Sequence, residues 1–334
     1  MVKKTLSIAA GLFFTGIFLY MAVRNVDWRE LKEILLQVRL GWLPLMLLVG
    51  LWSLTLRAVR WRVILFRQPD IPIGLLFRLQ SIGLAVNNLL FMRLGELARA
   101  ALAARQLRLP LATILGTVAV ERILDVTVLL LLFSAAAALV PGMVLDSVRG
   151  GAGLVLCGLF SGLAMLSAAQ VRIRPGGAWH ARLGSWPRIQ SAAGELAAGG
   201  EVLAIPKTAL LVWCVSVVIW MSDAGFFWLT ARALNLGEVV GYFRAILVLS
   251  WAGAGSALPA APGAIGTFEA MVKMIMVKLG APASEALAFA LFSHAVALIF
   301  NTLLGLFFLY RLGLTLTGLQ ASLEKAGPPP AAGR

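Results

Sequence analysis

The sequence predicts an all-α polytopic membrane protein, with about six transmembrane helices and two re-entrant helical hairpins arranged as an inverted repeat. Three observations lead there. Of 334 residues, 60% are hydrophobic and only 13% are charged, with a mean hydropathy of +0.90, a balance that a water-facing domain of this length does not sustain. Apolar runs recur at roughly the 20 residues needed to cross a ~30 Å hydrocarbon core. The order span, short amphipathic segment, span, broken hairpin, span then occurs twice. With three crossings in each copy, the second copy must lie upside down relative to the first. This balance excludes a cytosolic enzyme.

The first repeat occupies residues 1–140. Its opening run, 6–23, follows Lys3 and Lys4 and has no small-residue cleavage site after it, so it reads as an uncleaved span. Further spans fit at 42–59 and 113–140, and the stretch 75–104, interrupted at mid-length, reads as a re-entrant hairpin. The second repeat, 151–312, has spans at 151–170, 208–231 and 287–310 and a broken stretch at 243–279. Interrupted apolar helices are tolerated at membrane depth only where protein or a water-filled cavity covers them. Residues 326–334, with Pro328, Pro329 and Pro330, read as a disordered tail.

The formal charge of +14 has a topological explanation. With the amino terminus cytoplasmic, Arg57, Arg60, Arg62, Arg67, Arg78, Arg105 and Arg108 gather on cytoplasmic connections, as do Arg172, Arg174, Arg182, Arg188 and Lys207. No aromatic and basic platform accompanies them, so no nucleic acid partner is expected. Trp28, Trp42, Trp61, Trp186 and Trp251 lie near the expected interfaces, where they read as anchors. Cys157 and Cys214 sit in apolar runs, and the only histidines are His180 and His294, so neither a disulfide framework nor a metal site is expected. Nucleotide loops, nucleophile elbows and HExxH motifs are all lacking, so no cofactor and no catalytic residue is assigned.

Chemistry is concentrated in three constellations. The first runs from Asn87 and Asn88 through Arg93 and Glu96 to Arg99, polar groups inside an apolar element. Each ionised side chain there costs about 2.5–3.5 kcal/mol on insertion, which asks for a partner or a role. Either Arg93 pairs with Glu96 while the asparagines satisfy loose backbone, or the arginines meet a lipid phosphate through charge-assisted hydrogen bonds. The second, Pro262, Gly263, Gly266, Glu269 and Lys273, breaks one helix and begins another whose first N–H groups can face an anion. A tight packing turn is the plainer reading, but Glu269 and Lys273 then follow on one face at i, i+4. The third is Glu121, Arg122 and Asp125, where two acids one turn apart need a cation or a proton between them. Arg122 can serve Asp125, and Arg93 or Arg99 can serve Glu121. Asp223, Asn301 and His294 are further candidates, although a lone histidine in a span is more often a packed residue.

These residues carry a resemblance. The run Asn88-Leu89-Leu90 through Arg93-x-Gly95-Glu96-x-x-Arg99, then Glu121-Arg122-x-x-Asp125, then Pro262-Gly263-x-Ile265-Gly266-x-Phe268-Glu269, resembles the flippase-like integral membrane family. That family includes the transmembrane part of lysylphosphatidylglycerol synthases, the multiple peptide resistance factors. The similarity covers nearly the whole chain. It departs from the family pattern at Phe91-Met92, where a proline usually precedes the arginine. The resemblance implies a bacterial-type inner-membrane protein that moves, or helps to move, a lipid or lipid-linked molecule between leaflets; the arginines of the first constellation point to a phosphate-bearing head group as its partner. Multiple peptide resistance factors continue into an aminoacyl-transfer domain and this chain stops after the last span, so aminoacylation is not expected and no enzyme activity is assigned. The alternatives are a membrane partner presenting lipid to a separate transferase, or a small-solute transporter; oligomers are compatible with all three.

Overall fold

A computed structural model describes residues 13, 15–68, 70–90, 94–140, 187–258 and 261–319. Among these residues the secondary structure is helical, with no strand. Helix α1 ends at residue 23, and Asn25, at φ 60°, reverses the chain. Asp27 then caps α2 (Trp28–Leu36), accepting hydrogen bonds from the N–H groups of Arg29 (2.8 Å) and Glu30 (3.2 Å). A short 3-10 turn, Leu40–Trp42, leads into α3 (Leu43–Ile64), which has Pro44 in its first turn.

The helices α4 (Ile73–Leu89) and α5 (Gly95–Leu107) form a pair. Their backbones approach so closely that a Cβ on Gly95 would collide with the Gly83 carbonyl. Arg108, left-handed at φ 54°, and Pro110 end α5 before α6 (Leu111–Leu139). Helix α7 (Pro187–Ala198) packs on α6, where Gly116 and Gly199 admit its backbone. The long helix α8 (Pro206–Ala233) lies against α3. A second pair follows, α9 (Tyr242–Ala257) and α10 (Thr267–Lys278), and α11 (Ala283–Arg311) closes the described chain against α4 and α10.

Four helical stretches are long and apolar enough to cross a membrane: Leu40–Ile64, Leu111–Leu139, Pro206–Ala233 and Ala283–Arg311. They coincide with the expected spans at 42–59, 113–140, 208–231 and 287–310. Of the expected span 6–23 only its later part lies within the described residues, while 151–170 and the tail lie outside them. Each broken stretch is resolved into two short helices. At 17 and 13 residues, α4 and α5 reach only about 26 and 20 Å. The turn between α9 and α10 has Gly263 at φ 67° and Gly266 at φ 89°, conformations that disfavour any side chain.

One expectation about charge is corrected here. Arg57, Arg60 and Arg62 do not sit on a loop but continue α3, and Arg60 is only 1% exposed. Trp61, expected at an interface, is fully buried, and its indole N–H donates to Thr117 Oγ1 at 2.9 Å. The helix carries these polar groups inward because Arg57, Arg60 and Trp61 find partners on neighbouring helices and Arg62 donates to the Ile71 carbonyl at 2.6 Å.

Candidate functional site: a buried chain of ion pairs

Four helices bring their polar groups to one place by simple periodicity. On α3, Ser53, Arg57, Arg60 and Trp61 recur at helical spacing; on α6 Thr117, Glu121 and Asp125 do the same, and on α8 Ser216, Trp220 and Asp223. Helix α5 adds Glu96 and Arg99 one turn apart. Arg60 Nη1 donates to Asp125 Oδ1 at 2.6 Å, and its Nη2 lies 3.6 Å from Glu121. Arg99 Nη2 donates to the other oxygen of Glu121 at 2.6 Å while its Nε donates to Glu96 at 3.1 Å. Arg99 also stacks over the Trp61 ring, 4.9 Å from its centroid.

The chain extends at both ends. Arg122 stands 3.5 Å from Asp125 and 3.8 Å from Glu96. Asp223 accepts from Arg57 at 2.6 Å and from Ser53 at 2.5 Å. Neutral donors fill the gaps: Trp220 Nε1 to Asp125 at 3.2 Å and Gln80 to Glu121 at 3.3 Å. Ser216 Oγ accepts from Arg60 at 3.1 Å. Arg57, Arg60, Arg99 and Arg122 balance Glu96, Glu121, Asp125 and Asp223 in number, so the cluster is neutral overall. That is how charge is held out of water, since an uncompensated ion there would cost several kcal/mol.

Exposure grades along the chain. Arg60, Arg99, Glu121 and Asp125 are buried, whereas the side chains of Glu96 and Arg122 are 26% and 44% exposed. Arg122 makes no hydrogen bond among the described residues; both of its carboxylate neighbours lie at ion-pair distance only. It therefore combines exposure with unused donors. Its Cα lies about 16 Å along the 29-residue α6.

A second polar group lies at the start of α10. Glu269 Oε2 accepts the Gly266 N–H at 2.7 Å, closing the helix start with its own side chain. Its other oxygen is 2.6 Å from His294 Nδ1, and the imidazole stacks on Phe268 with centroids 4.1 Å apart. Lys273, 6% exposed, donates from Nζ to the carbonyl oxygens of Ala22 (2.8 Å) and Arg24, capping the carbonyl end of α1. Glu269 and Lys273, expected as a pair, are thus directed to different partners.

The expected constellations reach these two places. Glu96, Arg99, Glu121, Arg122 and Asp125 meet in the ion-pair chain. Asn87 accepts the Gly95 N–H at 2.7 Å, and Asn88 donates to Thr302 Oγ1 at 3.0 Å and, more loosely, to the Leu298 carbonyl. Pro262 and Gly263 lie in the turn beside the end of α4; a Cβ on Gly263 would stand 3.4 Å from the Asn88 carbonyl. Arg93 lies outside the described residues. Sequence reasoning missed Arg57, Arg60, Trp61, Gln80 and Ser216, although their helical spacing on α3 and α8 was an available signal. Among the described residues no group of three or more His, Cys, Asp or Glu could hold a metal ion.

Residues 8–305 match the family model described as the lysylphosphatidylglycerol synthase TM region. The chain belongs to that family. No curated protein and no solved structure matched it. The stretch shared with the lysylphosphatidylglycerol synthase TM region family contains every residue of the ion-pair chain and of the Glu269–His294 pair. With four apolar helices of spanning length, this member of the family is a multi-pass membrane protein.

Proposed function

We propose that this protein moves a phospholipid or lipid-linked molecule between leaflets. In this reading the head group crosses through a polar groove between two inverted halves, while the acyl chains stay in hydrocarbon. The observation that carries it is Arg122, a partly exposed guanidinium with unused donors in the first half of a helix of spanning length. Such a group is stable only against water, a partner or an anion, and a phosphate oxygen meets its geometry.

Two further features support the reading. Helices α4 with α5 and α9 with α10 are too short to cross singly, and we read each pair as a re-entrant hairpin whose tip ends inside the membrane. The turn at Gly263 lies against Asn88 at the end of α4, a contact between the two broken stretches such as a binding site between inverted repeats would have. Membership in the lysylphosphatidylglycerol synthase TM region family supports a lipid cargo. The protein is read as a transporter rather than an enzyme, seated in a bacterial-type inner membrane with its amino terminus in the cytoplasm.

The test is reconstitution into sealed vesicles that carry a fluorescent phospholipid in both leaflets, followed by a membrane-impermeant reductant. With the protein present, inner-leaflet label becomes accessible over time; in protein-free vesicles only outer-leaflet label is lost. No difference between the two contradicts the proposal. Copurification with a transferase would then favour a presenting role, and uptake of a water-soluble compound a small-solute transporter.

A further inference from the structure

We propose that His294, held by Glu269, is the proton-binding group of the transport cycle, taking up a proton at Nε2 from one aqueous side and releasing it to the other. This rests on the transport reading above and adds its coupling ion.

The geometry begins with a 2.6 Å approach between His294 Nδ1 and Glu269 Oε1. Two lone pairs cannot face each other at that distance, so a proton lies between them; with Glu269 a carboxylate, which already accepts the Gly266 N–H through its other oxygen, the imidazole Nδ1 is the donor. That fixes the tautomer and leaves Nε2 as the nitrogen whose proton comes and goes. Nε2 has no hydrogen-bond partner among the described residues, and the side chain is 12% exposed. The ring therefore presents an acceptor nitrogen on a side chain that neighbouring protein does not fully cover.

The pair is also tied to a movable part of the chain. Glu269 uses its second oxygen to hold the Gly266 N–H at 2.7 Å, directly after the break at Gly263 and Gly266. One carboxylate thus joins the start of α10 to α11. Protonation of Nε2 turns a hydrogen bond from a neutral ring into an imidazolium–carboxylate bond, roughly twice as strong, and adds a cation–π component with Phe268. Uptake tightens α10 against α11; release loosens it at the glycine turn.

Among the described residues, neighbouring elements supply no second acid to the ring. On α10, Lys273 turns its ammonium to the Ala22 and Arg24 carbonyls of α1. From α4, Asn88 bonds to Leu298 and Thr302, while Gln80 bonds to Glu121. From α8, Asp223 is held by Arg57 and Ser53. Asp27 and Glu30 of α2 lie towards Ser284 and Glu285, about two and a half turns from His294 along α11.

Two measurements test the proposal. In sealed vesicles with an imposed pH gradient, one proton per lipid gives about a tenfold transbilayer ratio of labelled phospholipid per pH unit, abolished by a protonophore. The ratio falls to one in His294→Gln. Lipid movement that ignores the gradient overturns the proton site and leaves transport standing, whereas no lipid movement at any gradient overturns the transport reading and this inference with it. Because the chain has only two histidines, His180→Gln leaves one ring for histidine-labelled NMR. The signal of that ring is expected to respond to pH, and to respond differently in Glu269→Gln; a signal that ignores pH contradicts the proposal even where His294→Gln fails to fold.

Discussion

Arg60 of α3 donates to Asp125 of α6 at 2.6 Å, and the same guanidinium stands 3.6 Å from Glu121, so one buried cation spans two acids that share a helix face. Without it, Glu121 and Asp125 would repel each other one turn apart in a low-dielectric setting. The arrangement makes Arg60 a keystone between α3 and α6, with α5 attached through Arg99 and α8 through Ser216.

Arg60→Met is therefore expected to destabilise the protein by about 3–5 kcal/mol, since it strands buried carboxylates. The triple variant Arg60→Met, Glu121→Gln, Asp125→Leu should lose less than the single one, because the charges go together. Unfolding in detergent, followed by tryptophan fluorescence, checks both.

Arg122→Ala should behave in the opposite way. Its pairs are partly exposed and long, so stability should fall by no more than about 1 kcal/mol. Leaflet exchange of labelled phospholipid should nonetheless drop strongly. Equal exchange in Arg122→Ala and wild type would remove this residue from the path.

Close helix contacts predict a sharp contrast among glycines. A Cβ on Gly305 of α11 would collide with the Ser81 carbonyl of α4 and stand 2.5 Å from Ala85 Cβ, whereas one on Gly225 of α8 has nothing within 4 Å. Gly305→Ala should destabilise by about 1–3 kcal/mol or more. Gly225→Ala should be neutral or slightly stabilising, through helix propensity, in the same unfolding measurement.

Lys273→Met removes the donor that satisfies the Ala22 and Arg24 carbonyls, and should cost about 1–3 kcal/mol. Protease susceptibility of the α1–α2 connection should rise with it. An unchanged cleavage pattern would mean that the α1 end is held by other contacts.

Much of this was legible in the chain itself. The apolar length of the four spans fixed their positions to within a few residues, and the interruptions near Gly95 and Gly266 marked where helices end and restart. The demand of Glu121 and Asp125 for a cation or a proton was visible, as was the pairing of Arg122 with Asp125, while Arg99 was one of two arginines that could serve Glu121. The identity of the principal cation was not, because Arg60 is one of many basic residues that topology alone explains until α3 is seen to continue past its apolar stretch. The start of α10 was recognisable as a helix beginning, but not that Glu269 would fill it. That depends on His294 arriving from α11, a contact across the fold that periodicity does not encode.

The claim on which the account depends is that a phosphate-bearing head group docks at Arg122. Native mass spectrometry of the gently extracted protein tests it most directly, with the copurifying lipids identified for wild type and for an Arg122→Ala variant. The account predicts a defined phosphate-bearing lipid retained by wild type and lost in the variant. Identical bulk lipid in both would contradict it.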